Sequence, residues 1–419
     1  MIKLKKYKIW TILIFIQYLI YENVIFVFPE IFGGSIFKYI VYSYKVFFPL
    51  ILFQTWKFSI TQFLLNKTLK NYTIFIFLFM IWAIVPTFFN GNIIDYLKLF
   101  AQFFFFIGAL GFFSKNPKAI DLLLKILIVY VLFALVQYSL IVYFEYYGRN
   151  PTNRGLVGPF GILGNNAARI GFLDPPIIRM TGFWREPSNF SGAAFAAYFL
   201  SRYFYSKERK KQWKLSSIFC LLCGFLSISN AGYLAFGFAL GFLEFFKKNK
   251  KSLSNKLKLI SLSFSAILLV LLALMGRNYV TENKIENPYV RAISGVRSLS
   301  NNIDVSSGRL EGYNVVFDYI KENPIGIGVQ VTGSTGIPAP AGAPMYWLYL
   351  VGIPGVFFLL MRDFFLFKKS ITIIKTNSNF RYICLAYIVI FTQQAIYGSW
   401  IDPNILIFSS IILINNPKN

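Results

Sequence analysis

The chain has no histidine among its 419 residues, three cysteines, and 17 Asp and Glu against 42 Lys and Arg. Without an imidazole, any proton acceptor working near neutral pH must be a carboxylate or something rarer. Three cysteines do not make a disulfide framework. Cys220 and Cys223 form a C-x-x-C pair, but inside an apolar run, where helix packing explains them better than redox chemistry. Also lacking is an internal repeat of the inverted kind found in many secondary transporters.

What is abundant is apolar surface. Apolar residues make up 56% of the chain and aromatics 19%, Phe alone numbers 48, and the mean hydropathy is +0.56. A helix needs about 17–25 mostly apolar residues to cross roughly 30 Å of hydrocarbon. Runs of that kind recur near 9–28, 36–54, 73–89, 95–113, 120–144, 189–205, 215–230, 232–246, 259–275, 344–361, 382–398 and 402–415. The expected fold is therefore all-α, a polytopic transmembrane helix bundle of about 12 spans with two large periplasmic or extracellular loops. Met1-Ile2-Lys3-Leu4-Lys5-Lys6 before the first run resembles a signal peptide. With a long run and no small-residue cleavage site after it, a retained first helix is expected.

A net charge of +25 invites a nucleic-acid reading, and its placement argues against one. With the N-terminus inside, 27 of the 42 basic residues fall in the inner loops 1–8, 55–71, 114–118, 202–214, 247–258, 362–381 and 416–419. The short outer segments 29–35 and 90–94 hold none. This is the positive-inside pattern, so the charge reports orientation and contact with anionic lipid. Both termini are expected in the cytoplasm, and no nucleic-acid partner is expected.

The chain divides into a five-span block (1–145), a first outer loop (146–188), a four-span block (189–276), a second outer loop (277–343) and a three-span block (344–419). The first loop is rich in turns and ends in Arg179-Met180-Thr181-Gly182-Phe183-Trp184-Arg185-Glu186-Pro187-Ser188. Pro187 suits the first turn of the next helix, which places Glu186 at its entrance. The small residues Ser191-Gly192-Ala193-Ala194 then permit close helix packing. In the second loop, Leu310, Tyr313, Val316, Phe317 and Ile320 make a helical stripe over 309–323, with Glu311, Asn314, Asp318 and Lys321 opposite. Ser306 or Ser307 is its expected cap, and Asn323-Pro324 followed by Gly326 and Gly328 its end. Such an amphipathic helix suits the membrane interface.

The choice of cation carries the chemistry. The two outer loops hold 9 of the 13 Arg but only 2 of the 29 Lys, Lys284 and Lys321. A guanidinium binds phosphate or carboxylate bidentately, a geometry that an ammonium does not reproduce. Arg179, Arg185 and Glu186 lie just before a span, and Ser307-Gly308-Arg309 opens the interfacial helix. Groups so placed suit a diphosphate at the membrane surface, aided by helix N-termini. For the general base, the outer-side candidates are Glu186, Asp174, Asp304 and Glu311. Glu186 leads because arginines flank it, although a carboxylate at a helix N-terminus is favourable in any case.

These residues resemble the bacterial O-antigen polymerase and O-antigen ligase family of integral membrane enzymes. Arg179-x-x-Gly182-Phe183-x-x-Glu186-Pro187-Ser188 is similar to the motif ending that family's large periplasmic loop. Ser307-Gly308-Arg309…Tyr313…Asn323-Pro324-x-Gly326-x-Gly328 is similar to its Arg…Trp…Pro-x-Gly-x-Gly motif, with Tyr313 where Trp is usual. Ser229-Asn230-Ala231-Gly232 resembles a turn between two spans, and Met345–Met361, with Gly352 and Gly355, the span after the second loop.

The resemblance implies glycosyl transfer on the outer face of a bacterial inner membrane, from polyprenyl diphosphate, without metal or cofactor. Arg179 and Arg309 would stabilise the departing diphosphate and Glu186 would take the acceptor's proton. Arg185, Gly182, Ser188, Gly308, Tyr313, Gly326 and Gly328 would contribute to substrate binding. The implied partners are polyprenyl-diphosphate-linked oligosaccharides (O-antigen or capsule type), membrane lipid, and a chain-length regulator and flippase of the same pathway. Ligase relatives carry an important His in the second loop, so its absence favours a polymerase over a ligase acting on lipid A core. A flippase should line its spans with charge, yet the spans carry few, among them Glu22, Lys45, Lys98, Asp121, Lys125 and, at an end, Glu244. A purely structural scaffold is the blandest alternative.

Overall fold

The structure is a computed structural model. It describes residues 44–146, 169–170, 177–178, 180, 187–246, 316–330, 343–376, 379–397 and 403–415. The helices among them are α1 (Tyr44–Leu65), α2 (Lys67–Asn90), α3 (Ile93–Lys115), α4 (Pro117–Tyr146), α5 (Pro187–Glu208), α6 (Lys211–Leu226), α7 (Asn230–Phe246), α8 (Ala343–Lys375), α9 (Arg381–Tyr397) and α10 (Pro403–Ile414), with residues 316–322 also helical. Four stretches, Lys67–Asn90, Ile93–Lys115, Pro117–Val136 and Ala343–Lys375, are long and apolar enough to cross a membrane. The protein is thus an integral membrane protein of apolar helices. The expected spans 9–28 and 259–275 lie outside the described residues.

Three sequence expectations change. The inner loop expected at 55–71 is helical except for Asn66, whose side chain accepts from the Leu69 amide (3.1 Å) and caps α2. The loop expected at 362–381 is helical through Lys375, so the last expected span in that region runs on well past residue 361. Hydropathy falls where charges begin, but the helix does not, because Arg362 and Asp363 are buried together rather than released to water. Within the first outer loop, β1 (Arg169–Ile170) pairs antiparallel with β2 (Ile177–Ile178), a two-residue ladder where the regular structure among the described residues is otherwise helical.

The chain forms two compact units. The first comprises 1–44, 121–304 and 379–393, the second 45–120, 305–378 and 394–419. In the first, α5 packs on α6 and α7. Its core is aromatic: the Phe195 ring stacks on Phe236 (4.5 Å between centroids) and meets Phe225 edge-on (5.5 Å). Gly224 makes room for that ring, since a Cβ there would lie 2.5 Å from Phe195 Cε1. Cys220 and Cys223 are buried in α6 as free thiols. At the far end of α5, Lys125 of α4 donates to Glu208 (2.6 Å) and lies over the Phe204 ring (4.8 Å), while Lys207 pairs with Asp121 (2.5 Å). The Lys125 ammonium holds the Glu208 carboxyl down at about 2.

In the second unit, α8 packs along α2, and α10 along α3. Ser59 of α1 donates to the Ile107 carbonyl (2.8 Å), and Gly111 lies so close that a Cβ would be 2.5 Å from Thr55 O. Halfway along α8, Arg362 Nη2 meets Asp363 Oδ1 at 2.7 Å with both side chains buried, and the guanidinium lies 5.9 Å from the Tyr72 ring centre. An ion pair so enclosed is costly to break, because removing one partner strands the other charge.

Candidate active site

The first loop's closing motif is held at both ends within the first unit. The buried Met180 donates its amide to the Leu226 carbonyl (2.9 Å), beside the Ser229-Asn230-Ala231-Gly232 turn. On the other side Pro187 opens α5, in the position where a missing N–H costs nothing. Ser188 is buried and its carbonyl accepts from Ser191 Oγ (2.7 Å). The described residues on either side of 181–186, the stretch that holds Gly182, Arg185 and Glu186, are thus both fixed. These three, together with Arg179, Gly308, Arg309 and Tyr313, lie outside the described residues.

The first turn of α5 is clamped from two sides. Gln393 of α9 donates its amide to Asn189 Oδ1 (2.7 Å), and a Cβ on Gly192 would lie 2.9 Å from Gln393 Cγ. On the opposite side a Cβ on Gly232 would lie 2.1 Å from Ser191 Oγ. The small residues seen in the sequence thus have a specific use: they admit α7 and α9 onto the helix that follows Glu186. Gln393 itself was not singled out from the sequence. A Gln in an apolar span was the available signal.

The second motif is built differently, from backbone. Within α8, Gly352 leaves the helical region with φ +67° and breaks the helix, and the next helical piece carries Pro354 near its start. A break leaves carbonyls and amides without intrahelical partners, which is intolerable away from water unless other groups supply them. Here the supply is traceable. Ile327 N donates to Tyr349 O (3.0 Å), Gly328 N to Leu350 O (2.8 Å) and Trp82 Nε1 to Val351 O (2.8 Å), while Ile353 N donates to Pro324 O (3.0 Å). The strap 324–329 is therefore laid into the broken helix as a third strand of backbone, in a segment that directly follows the helical residues 316–322.

Gly326 and Gly328 both have φ +87°, where other residues are strained. A Cβ on Gly326 would lie 2.6 Å from Leu350 O, and one on Gly328 2.6 Å from Pro86 O. The structure gives these two glycines a backbone-packing task. Of the helix expected at 309–323, residues 316–322 are helical, with Val316 and Ile320 buried and the Asp318–Lys321 pair exposed (2.8 Å). Over that part the expected stripe is buried at Val316 and Ile320, whereas Phe317 is exposed.

Residues 215–360 match the family model described as O-antigen ligase. The match takes in the Ser229–Gly232 turn, the strap with Gly326 and Gly328, and the break at Gly352. It begins after the Arg179–Ser188 motif. No curated protein matches the chain. Over these residues, roughly a third of its length, this integral membrane protein is similar to the O-antigen ligase family.

Proposed function

We propose that the protein is a membrane glycosyltransferase that polymerises polyprenyl-diphosphate-linked oligosaccharide repeat units on the outer face of a bacterial inner membrane. The observation that carries this reading is the O-antigen ligase match over 215–360, which contains the second Arg-bearing loop. In the reaction an acceptor hydroxyl oxygen attacks the anomeric carbon of the donor glycan, and the bond from that carbon to the diphosphate oxygen breaks. Glu186 receives the hydroxyl proton. The polyprenyl diphosphate leaves with its charge stabilised by guanidinium groups, Arg179 and Arg309 each in that role. Arg185, Gly182, Ser188, Gly308 and Tyr313 bind substrate. Polymerase is preferred to ligase because the chain has no histidine to match the one that ligases carry in the second loop. The ligase reading is favoured by the matched family's own description.

The surface glycan of a deletion strain decides between them. Single capped repeats support the polymerase. Uncapped core with accumulated lipid-linked polymer points to the ligase, and an unchanged ladder sinks both. Arg309→Lys should keep normal membrane levels yet lose most of the polymer, since an ammonium cannot hold two phosphate oxygens in one plane. Full polymer length in that variant would remove the bidentate argument.

A further inference from the structure

The family match begins at residue 215, so it says nothing about α2. Yet α2 and the turn after it form the seat of the strap. Thr87 Oγ1 accepts from Val329 N (2.9 Å) and donates to Ala83 O (2.6 Å), so its hydroxyl is used in both directions. Trp82 donates to Val351 O beside the helix break, and Asn92 N donates to Val329 O (2.9 Å). The directions follow from chemistry, because an indole N–H and a backbone amide can only donate. Thr87 is buried, so water does not stand ready to replace its bonds. The strap directly follows the helical residues 316–322 and belongs to the same sequence motif as Arg309.

We infer that Thr87 and Trp82 are positioning residues for the Arg309-bearing loop. Thr87 bonds the strap itself, and Trp82 bonds the α8 backbone at the break into which the strap is laid. The functional half of this inference rests on the role given to Arg309 above; the seating half does not.

The test uses the full-length protein in its own membrane, with Thr87→Val, Thr87→Ser and Trp82→Phe. The first readout is tryptic cleavage after Lys321, an exposed side chain just ahead of the strap, followed on spheroplasts by immunoblot. Valine keeps the shape and loses the hydroxyl, so cleavage should quicken about tenfold, whereas serine should stay within about twofold of wild type. Trp82→Phe should also quicken cleavage, and it serves where Thr87→Val accumulates poorly. The second readout is polymer length at matched membrane levels, which should fall for Val and Phe and be rescued by Ser. Unchanged cleavage in both Val and Phe variants, or serine behaving like valine, overturns the seat. Faster cleavage with full polymer overturns the positioning role. If the deletion strain shows that the protein makes no glycan, the proposed function fails while the cleavage result still decides the seat.

Discussion

The two loop motifs rest on supports of different kinds. In the first unit the entrance of α5 is held by side chains: the Gln393–Asn189 amide pair on one side, and Ser191 against Gly232 on the other. In the second unit the strap 324–329 is held mostly by backbone, between the broken α8 and the end of α2, with the Thr87 hydroxyl added at Val329. A side chain can rotate away from a new methyl group, and a hydrogen-bonded backbone cannot. Glycines on the two supports should therefore differ in their tolerance, although both sites look equally glycine-dependent in sequence.

The largest effect is expected from Gly352→Ala. Its φ is +67° and its Cβ would fall 2.1 Å from Pro324 O, so backbone must move. Strain and overpacking together should cost on the order of 3 kcal/mol or more, read as a steep loss of membrane level and of thermal stability in detergent. Gly192→Ala should be milder, about 1–2 kcal/mol, because the atoms in its way belong to the Gln393 side chain. If Gly192→Ala proves the more damaging, the side-chain versus backbone distinction is wrong. Gln393→Met removes the donor to Asn189 at similar volume and should cost about 1 kcal/mol. A stability equal to wild type would show that this amide pair does not clamp α5.

The smallest effect concerns the other end of α5. Glu208 titrates at about 2 rather than its usual 4.5, so its pairing with Lys125 is fully present above about pH 4.5 and lost as pH falls through about 2. Lys125→Met should therefore lower stability at neutral pH by less than about 1 kcal/mol, with the difference shrinking in acid. A wild-type versus Lys125→Met difference that stays constant from pH 6 to pH 2 would assign the contribution to packing on Phe204 and Trp213 instead.

Much of this was readable from composition and spacing. Helix 316–322, the entry of α5 at Pro187 and the helices α2 to α10 lie close to where apolar periodicity put helical segments. Apolar runs report helices well because lipid leaves the backbone no partner outside the helix. Their ends were harder. Charges at Arg362-Asp363 read as the start of a loop, whereas they lie inside helix α8, buried against α2. The Gln393–Asn189 contact, with partners 204 residues apart, left no local trace.

The sequence by itself was enough for the membrane class and for the resemblance to the O-antigen ligase family, because hydropathy and motif order are properties of neighbours in the chain. Tertiary structure alone decided what the motif glycines do. Gly326 and Gly328 could have bordered a substrate or a backbone, and the answer depends on which atoms lie within about 3 Å. Those atoms come from α2 and α8, and the strap's bond to Thr87 joins residues 242 apart. No spacing rule reaches that far.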